Sequence, residues 1–169
     1  MNAPVPESVR RALAEVSLDD RWTLERGRAY MSGTQALLRL AMLQRQRDVA
    51  SGLNTAGFIT GYRGSPLGSV DQTAWRAKKH LEAHHVKFHS GLNEDLAATS
   101  DVFKHANAAG TSPHGGVLAL AGDDHGAKSS TLPHQSDHIF KACMIPVLYP
   151  ATVQEYLDLG LHGYAMSRY

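Results

Sequence analysis

Three glycine-bearing polar segments group side chains that can do chemistry. The first reads Gly61-Tyr62-Arg63-Gly64-Ser65-Pro66-Leu67-Gly68, the second Gly91-Leu92-Asn93-Glu94-Asp95-Leu96, and the third Gly122-Asp123-Asp124-His125-Gly126-Ala127-Lys128-Ser129-Ser130. Together they supply a guanidinium, an ammonium, hydroxyls and carboxylates, the groups that bind anions and move protons. Glu94 is the most informative of them, because a carboxylate between a short strand and a helix can set the protonation state of a bound heterocycle. Each segment also has a plain structural reading. An Asn N-cap followed by two acids satisfies orphan N–H groups and complements a helix dipole. Residues 61–68 suit a Pro-Gly turn opening a helix, and Asp and Ser side chains at Asp124, Ser129 and Ser130 favour turns without any ligand.

A strand–helix alternation would bring the three segments to one edge. Short apolar runs at residues 55–60, 86–89, 117–121 and 145–149 are each separated by enough chain for a helix. The last two lack polar alternation, so they read as strands covered on both faces of a parallel sheet, with Pro146 near a strand start. Helices are expected at 7–16, 67–83, 93–109, 135–142 and 152–168. Another begins at Ser32, where Ser32 and Gln35 form a capping box, Ala36, Leu37, Leu40, Ala41 and Leu43 make an apolar stripe, and Gly52 is the stop. Thr152 and Glu155 repeat the capping box before a stripe of Val153, Tyr156, Leu157, Gly160, Leu161 and Tyr164. The fold class is α/β, and ligands of an open parallel sheet gather outside the carboxyl ends of its strands, here the turns beginning at Gly61, Ser90, Gly122 and Pro150.

Composition bounds the function classes. The 169 residues are 43% hydrophobic and 20% charged, the balance of a globular chain that buries about two thirds of its unfolded surface. The formal net charge of +1 gives no reason to expect nucleic acid or an anionic membrane as a partner. Cys143 is the only cysteine, which excludes an internal disulfide and an iron–sulfur cluster held by four thiolates of this chain. No stretch approaches the roughly 20 apolar residues of a membrane helix, and the expected location is the cytoplasm.

Residues 30–40, 60–71, 91–99 and 101–169, the last with His114-Gly115-Gly116, Lys128-Ser129-Ser130 and Gln135-Ser136-Asp137-His138, resemble the N-terminal, pyrimidine-binding domain of the indolepyruvate ferredoxin oxidoreductase family. These are thiamine-diphosphate-dependent 2-oxoacid:ferredoxin oxidoreductases. The resemblance implies a three-layer thiamine-diphosphate-binding domain over residues 31–169, preceded by a lead-in helix and segment at 1–30. It implies that the complete enzyme decarboxylates an aryl 2-oxo acid, transfers the acyl group to coenzyme A and passes two electrons through 4Fe-4S clusters to ferredoxin. Glu94 takes the place of the family's pyrimidine-activating carboxylate, which favours the imino tautomer of the cofactor, and Gly91 and Asn93 flank it. The 61–68 turn resembles the segment that approaches substrate, with Arg63 to pair with its carboxylate, Gly64 to allow close approach and Ser65 to hydrogen-bond it. Asp124, Ser129, Ser130 and Gln135 match a third family segment that lines or braces the pocket.

Between Thr99 and Asp101 relatives carry a further segment with a strand and a glycine-rich loop near the cofactor. Its loss is expected to leave the sheet one strand short and to fuse two helices into one over 93–109. No Gly-Asp-Gly followed by a downstream Asn occurs in these residues, and the cluster-bearing cysteines are missing. Magnesium and the 4Fe-4S clusters are therefore expected only in the missing part of the complete enzyme, and the expected partners include a diphosphate-binding domain or subunit in a dimeric assembly. The chain alone supplies half a cofactor site, and residues 152–169 read as an internal helix cut short. Two other readings stay open. One is a noncatalytic remnant or interaction domain. The other is a metal-dependent hydrolase drawing on His84, His85 and His89, on His134 and His138, or on Asp123, Asp124 and His125, although two ligands at helical spacing make only half a zinc site.

Overall fold

Residues 6–63, 67–91, 100–128 and 131–169 are described in a computed structural model of the protein. The chain divides into two compact units, Met1–Met31 and Ser32–Tyr169. In the first, α1 spans Glu7–Ala14 and α2 spans Asp20–Thr23. The polar stretch between them closes on itself: the Ser17 N–H donates to Asp20 Oδ2 at 2.9 Å and the Asp19 N–H to Ser17 Oγ at 3.1 Å.

The second unit is organised around α3, Gly33–Ala50. Its start is fixed by the expected capping box, with the Ser32 N–H donating to Gln35 Oε1 at 2.9 Å and the Gln35 N–H to Ser32 Oγ at 3.3 Å. Its end is a Schellman motif. Gly52 takes φ +76°, its N–H donates to the Val49 carbonyl at 2.9 Å, and the Leu53 N–H donates to the Asp48 carbonyl at 2.8 Å. Ala36, Leu38, Leu40, Ala41 and Met42 are all buried. That span is wider than the single stripe read from the sequence, because α3 is covered on more than one side.

One cover is α8, Val153–Arg168, which carries the second capping box with the Glu155 N–H donating to Thr152 Oγ1 at 3.2 Å. Gly33 lies against Tyr156, Gly160 against Leu40, and Asp48 pairs with Arg168, so the two helices run side by side in the same direction. A Cβ on Gly160 would come within 2.3 Å of Leu40 Cδ2, which explains the glycine in mid-helix. At the far end both Arg168 terminal nitrogens donate to Asp48, at 2.8 and 2.9 Å, while Gln44 and Thr55 donate to the same carboxylate. The Arg168 hydrogen bonds hold Asp48 well below the usual carboxylate range against the opposing effect of burial.

The sheet is a parallel pair, β1 (Gly57–Gly61) and β2 (Val86–Ser90), in register from Gly57 opposite Val86 to Gly61 opposite Ser90. Between them the expected 67–83 helix is two, α4 (Ser69–Arg76) and α5 (Lys78–Ala83), divided at Ala77. Leu81 and Val86 are each 1% exposed, and Trp75 meets Phe88 edge-on at 5.9 Å. The opposite face carries exposed Phe58, Thr60, Lys87 and His89. The described sheet is thus covered on one face, and its alternation follows from that.

The architecture is mixed α and β around an open parallel sheet, with fewer strands than the sequence suggests. Residues 117–121 and 145–149 are not strands. Leu118 and Leu148 instead turn inward against Gly163 of α8, and the Val117 N–H donates to Ser167 Oγ at 3.0 Å. The two leucines meet the helix, Val117, Leu120, Val147 and Tyr149 stay exposed, and neither run joins β1 or β2. α6 spans Ser100–Ala109, the described part of the expected 93–109 helix, and meets α7, Asp137–Ala142, through an edge-on contact of Phe103 with Phe140 at 5.5 Å. Among the described residues no helix is long and apolar enough to cross a membrane.

Candidate functional site

The parallel register brings the first residues of two of the three polar segments together. β1 and β2 end level with one another, and the Gly91 N–H donates to the Gly61 carbonyl at 2.8 Å, extending the ladder one step past the strands. A Cβ on Gly91 would lie 3.4 Å from the Gly61 carbonyl carbon and the Tyr62 nitrogen. The chain leaving β1 toward Arg63 and the chain leaving β2 toward Glu94 therefore start from touching backbones at the carboxyl edge, where parallel sheets hold their ligands.

Arg63 is placed by an acid that the sequence reading did not single out. Its Nε donates to Asp71 Oδ2 at 2.9 Å; the Asp71 side chain is fully buried, while that of Arg63 is 72% exposed. The other Asp71 oxygen accepts the Gln72 N–H at 2.6 Å. The available signal was spacing, since an acid in the first turn of the following helix lies within reach of an arginine at the strand end. Glu94, Asn93, Gly64 and Ser65 lie outside the described residues, as do Ser129 and Ser130.

Asp124 and Gln135 belong to a different cluster. Asp124 Oδ1 accepts the Lys128 N–H at 3.0 Å, and its carbonyl accepts the N–H groups of Ala127 and His134 at 3.1 and 3.2 Å. This is the bracing role that short polar side chains play in loops. Asp123 clamps the far end of the loop, accepting the Ser136 N–H at 2.8 Å and the Ser136 hydroxyl. Gln135 donates to Asp137 Oδ2 at 2.9 Å. A hydrogen bond from the Tyr149 hydroxyl, then that of Gln135, draws the Asp137 carboxyl below its ordinary range, and the same contact pushes the Tyr149 phenol up. No local pattern signals this pairing, because Tyr149 sits twelve positions on, in a run read as strand.

Of the histidines, His84 is engaged structurally, its ring nitrogens meeting the His80 carbonyl at 2.8 Å and Gln46 Nε2 at 3.0 Å. Among the described residues no three His, Cys, Asp or Glu side chains converge as a metal site. An open hollow between α6 and α7 is lined by Asp101, Lys104, His138, Ile139, Ala142 and the buried thiol Cys143. It lies apart from the ends of β1 and β2 in sequence and shares none of their residues. Comparison of the chain with protein-family models, with curated proteins and with solved structures finds no match.

Proposed function

We propose that the chain is the pyrimidine-binding part of a thiamine-diphosphate-dependent oxidoreductase acting on indolepyruvate or another aryl 2-oxo acid, with acyl-coenzyme A as product and ferredoxin as electron acceptor. The observation that carries this reading is the Gly91-to-Gly61 hydrogen bond, which starts the Arg63 and Glu94 segments side by side at the carboxyl edge. A guanidinium at this edge, joined by the carboxylate that follows Gly91 in the sequence, would suit an anionic keto acid and a basic heterocycle together. The residues fit half of the cofactor: Gly91, Asn93 and Glu94 would hold the aminopyrimidine, while the diphosphate and magnesium require donors that these 169 residues do not provide in the Gly-Asp-Gly pattern. Bound thiamine diphosphate would supply the nucleophilic carbon and electron sink for loss of carbon dioxide.

The protein's own part is to bind and orient. Arg63, with Gly64 and Ser65, would receive the substrate carboxylate and ketone, and Glu94 would hold a proton at the pyrimidine ring. The 122–135 loop, braced by Asp124 and carrying Ser129, Ser130 and Gln135, would form a wall of the pocket in the completed assembly. On this reading the three-layer domain is completed by a partner diphosphate-binding domain, and the isolated chain does not turn over. Deuterium exchange at C2 of thiamine diphosphate, with magnesium and a diphosphate-binding domain supplied in trans, tests the assignment. The wild-type chain should accelerate exchange, and Glu94→Gln should remove the acceleration without lowering the melting temperature. Equal exchange rates for both proteins would overturn it.

A further inference from the structure

Arg63 is an exposed cation whose orientation is set from below. A long, flexible arginine at a loop edge ordinarily samples many rotamers, and ordering it on binding costs affinity. Here one of its five donors, the Nε–H, is committed to the fully buried Asp71 at 2.9 Å. A planar guanidinium fixed through Nε still directs one N–H from each terminal nitrogen end-on, away from that bond, and Arg63 makes no other hydrogen bond among the described residues. Those two nitrogens form the end of the fork that takes a carboxylate in bidentate fashion. Asp71 is itself immobile: it has no solvent exposure, sits in the first turn of α4, and has its second oxygen occupied by the Gln72 N–H at 2.6 Å.

We propose that Asp71 is a positioning residue, which holds Arg63 so that its two terminal nitrogens receive the carboxylate of the 2-oxo acid. The inference rests on the assignment of Arg63 to the substrate carboxylate. It adds the group that makes an exposed arginine selective for a planar carboxylate over a general anion. An acid needed only to complement the α4 dipole would change stability alone, whereas a positioning acid changes affinity through Arg63.

The test is calorimetric titration of phenylpyruvate into the full chain and into Arg63→Gln, Asp71→Asn and the double variant, with melting curves as the folding control. Arg63→Gln and Asp71→Asn should each weaken binding about tenfold or more, and the double variant should be no weaker than Arg63→Gln alone. If Arg63→Gln abolishes binding while folded Asp71→Asn binds like wild type, the positioning role fails and the Arg63 assignment survives. Should Arg63→Gln bind like wild type, or wild type not bind, both fail. In case Asp71→Asn does not fold, solvent exchange of the Arg63 Nε–H in the wild-type chain decides. A slowly exchanging resonance that shifts with phenylpyruvate supports the role, and exchange as fast as in a free arginine overturns it.

Discussion

The pair β1–β2 and the runs 117–121 and 145–149 are all short apolar runs in the sequence and meet different fates. Val86 and Val117 are both valines opening an apolar run, yet Val86 is 1% exposed in a ladder and Val117 is 69% exposed. β1 and β2 have each other in register, Val86 and Leu81 of α5 are buried, and Phe88 meets Trp75 of α4 edge-on. The later runs have α8, where Leu118 and Leu148 reach Gly163, and a serine hydroxyl takes the Val117 N–H. Apolar character alone makes neither a buried segment nor a strand, which needs a neighbour whose N–H and C=O groups fall in register.

Substitutions that move α8 should break the comparison hardest. Gly160→Val forces a branched side chain into Leu40, and it should cost about 3 kcal/mol in denaturant unfolding, loosening the 117–121 and 145–149 runs together with α8. Asp48→Ala leaves Arg168 unpaired at a partly buried site and should cost about 2–3 kcal/mol, below the full penalty because Arg168 keeps some solvent contact. Because the folded-state Asp48 pKa is depressed, its contribution is complete above the unfolded-state value of about 4 and is lost as pH falls toward the folded value. Asp48→Ala should therefore lose stability less steeply on acidification than wild type, measured as urea midpoints between pH 7 and pH 3.

Smaller changes sharpen the contrast. Val86→Ala should cost about 2 kcal/mol, and Val117→Ala should stay within about 0.5 kcal/mol, although both remove the same atoms. Equal costs would mean that the 117–121 run is buried as firmly as β2. Tyr149→Phe should leave folding unchanged and let the Asp137 carboxyl titrate closer to its ordinary range, followed by side-chain carboxyl NMR.

Local chemistry made the helix ends legible. Both capping boxes and the Gly52 stop were readable because their hydrogen bonds join residues three to five apart. The first two strands were readable as short apolar runs separated by enough chain for a helix, and the carboxyl edge followed from parallel topology. The fate of the last two runs depends on contacts with Gly163 and Ser167, some 15 to 50 residues away, which no local pattern encodes. In the candidate site, Arg63 and Gly91 were found by segment character and are brought to one edge, while Asp124 and Gln135 answer to loop bracing and to Tyr149. Asp71 was missed because a first-turn acid looks the same whether it serves a dipole or an arginine.

The most direct measurement is a backbone amide NMR titration of the full chain with phenylpyruvate. If the carboxyl edge of β1 and β2 is the substrate site, the amides of Gly61, Tyr62, Arg63 and Gly91 shift and saturate together, while those of 117–121 and 145–149 stay in place. Shifts confined to the 122–137 loop and Tyr149, or no saturable shift at all, would contradict it.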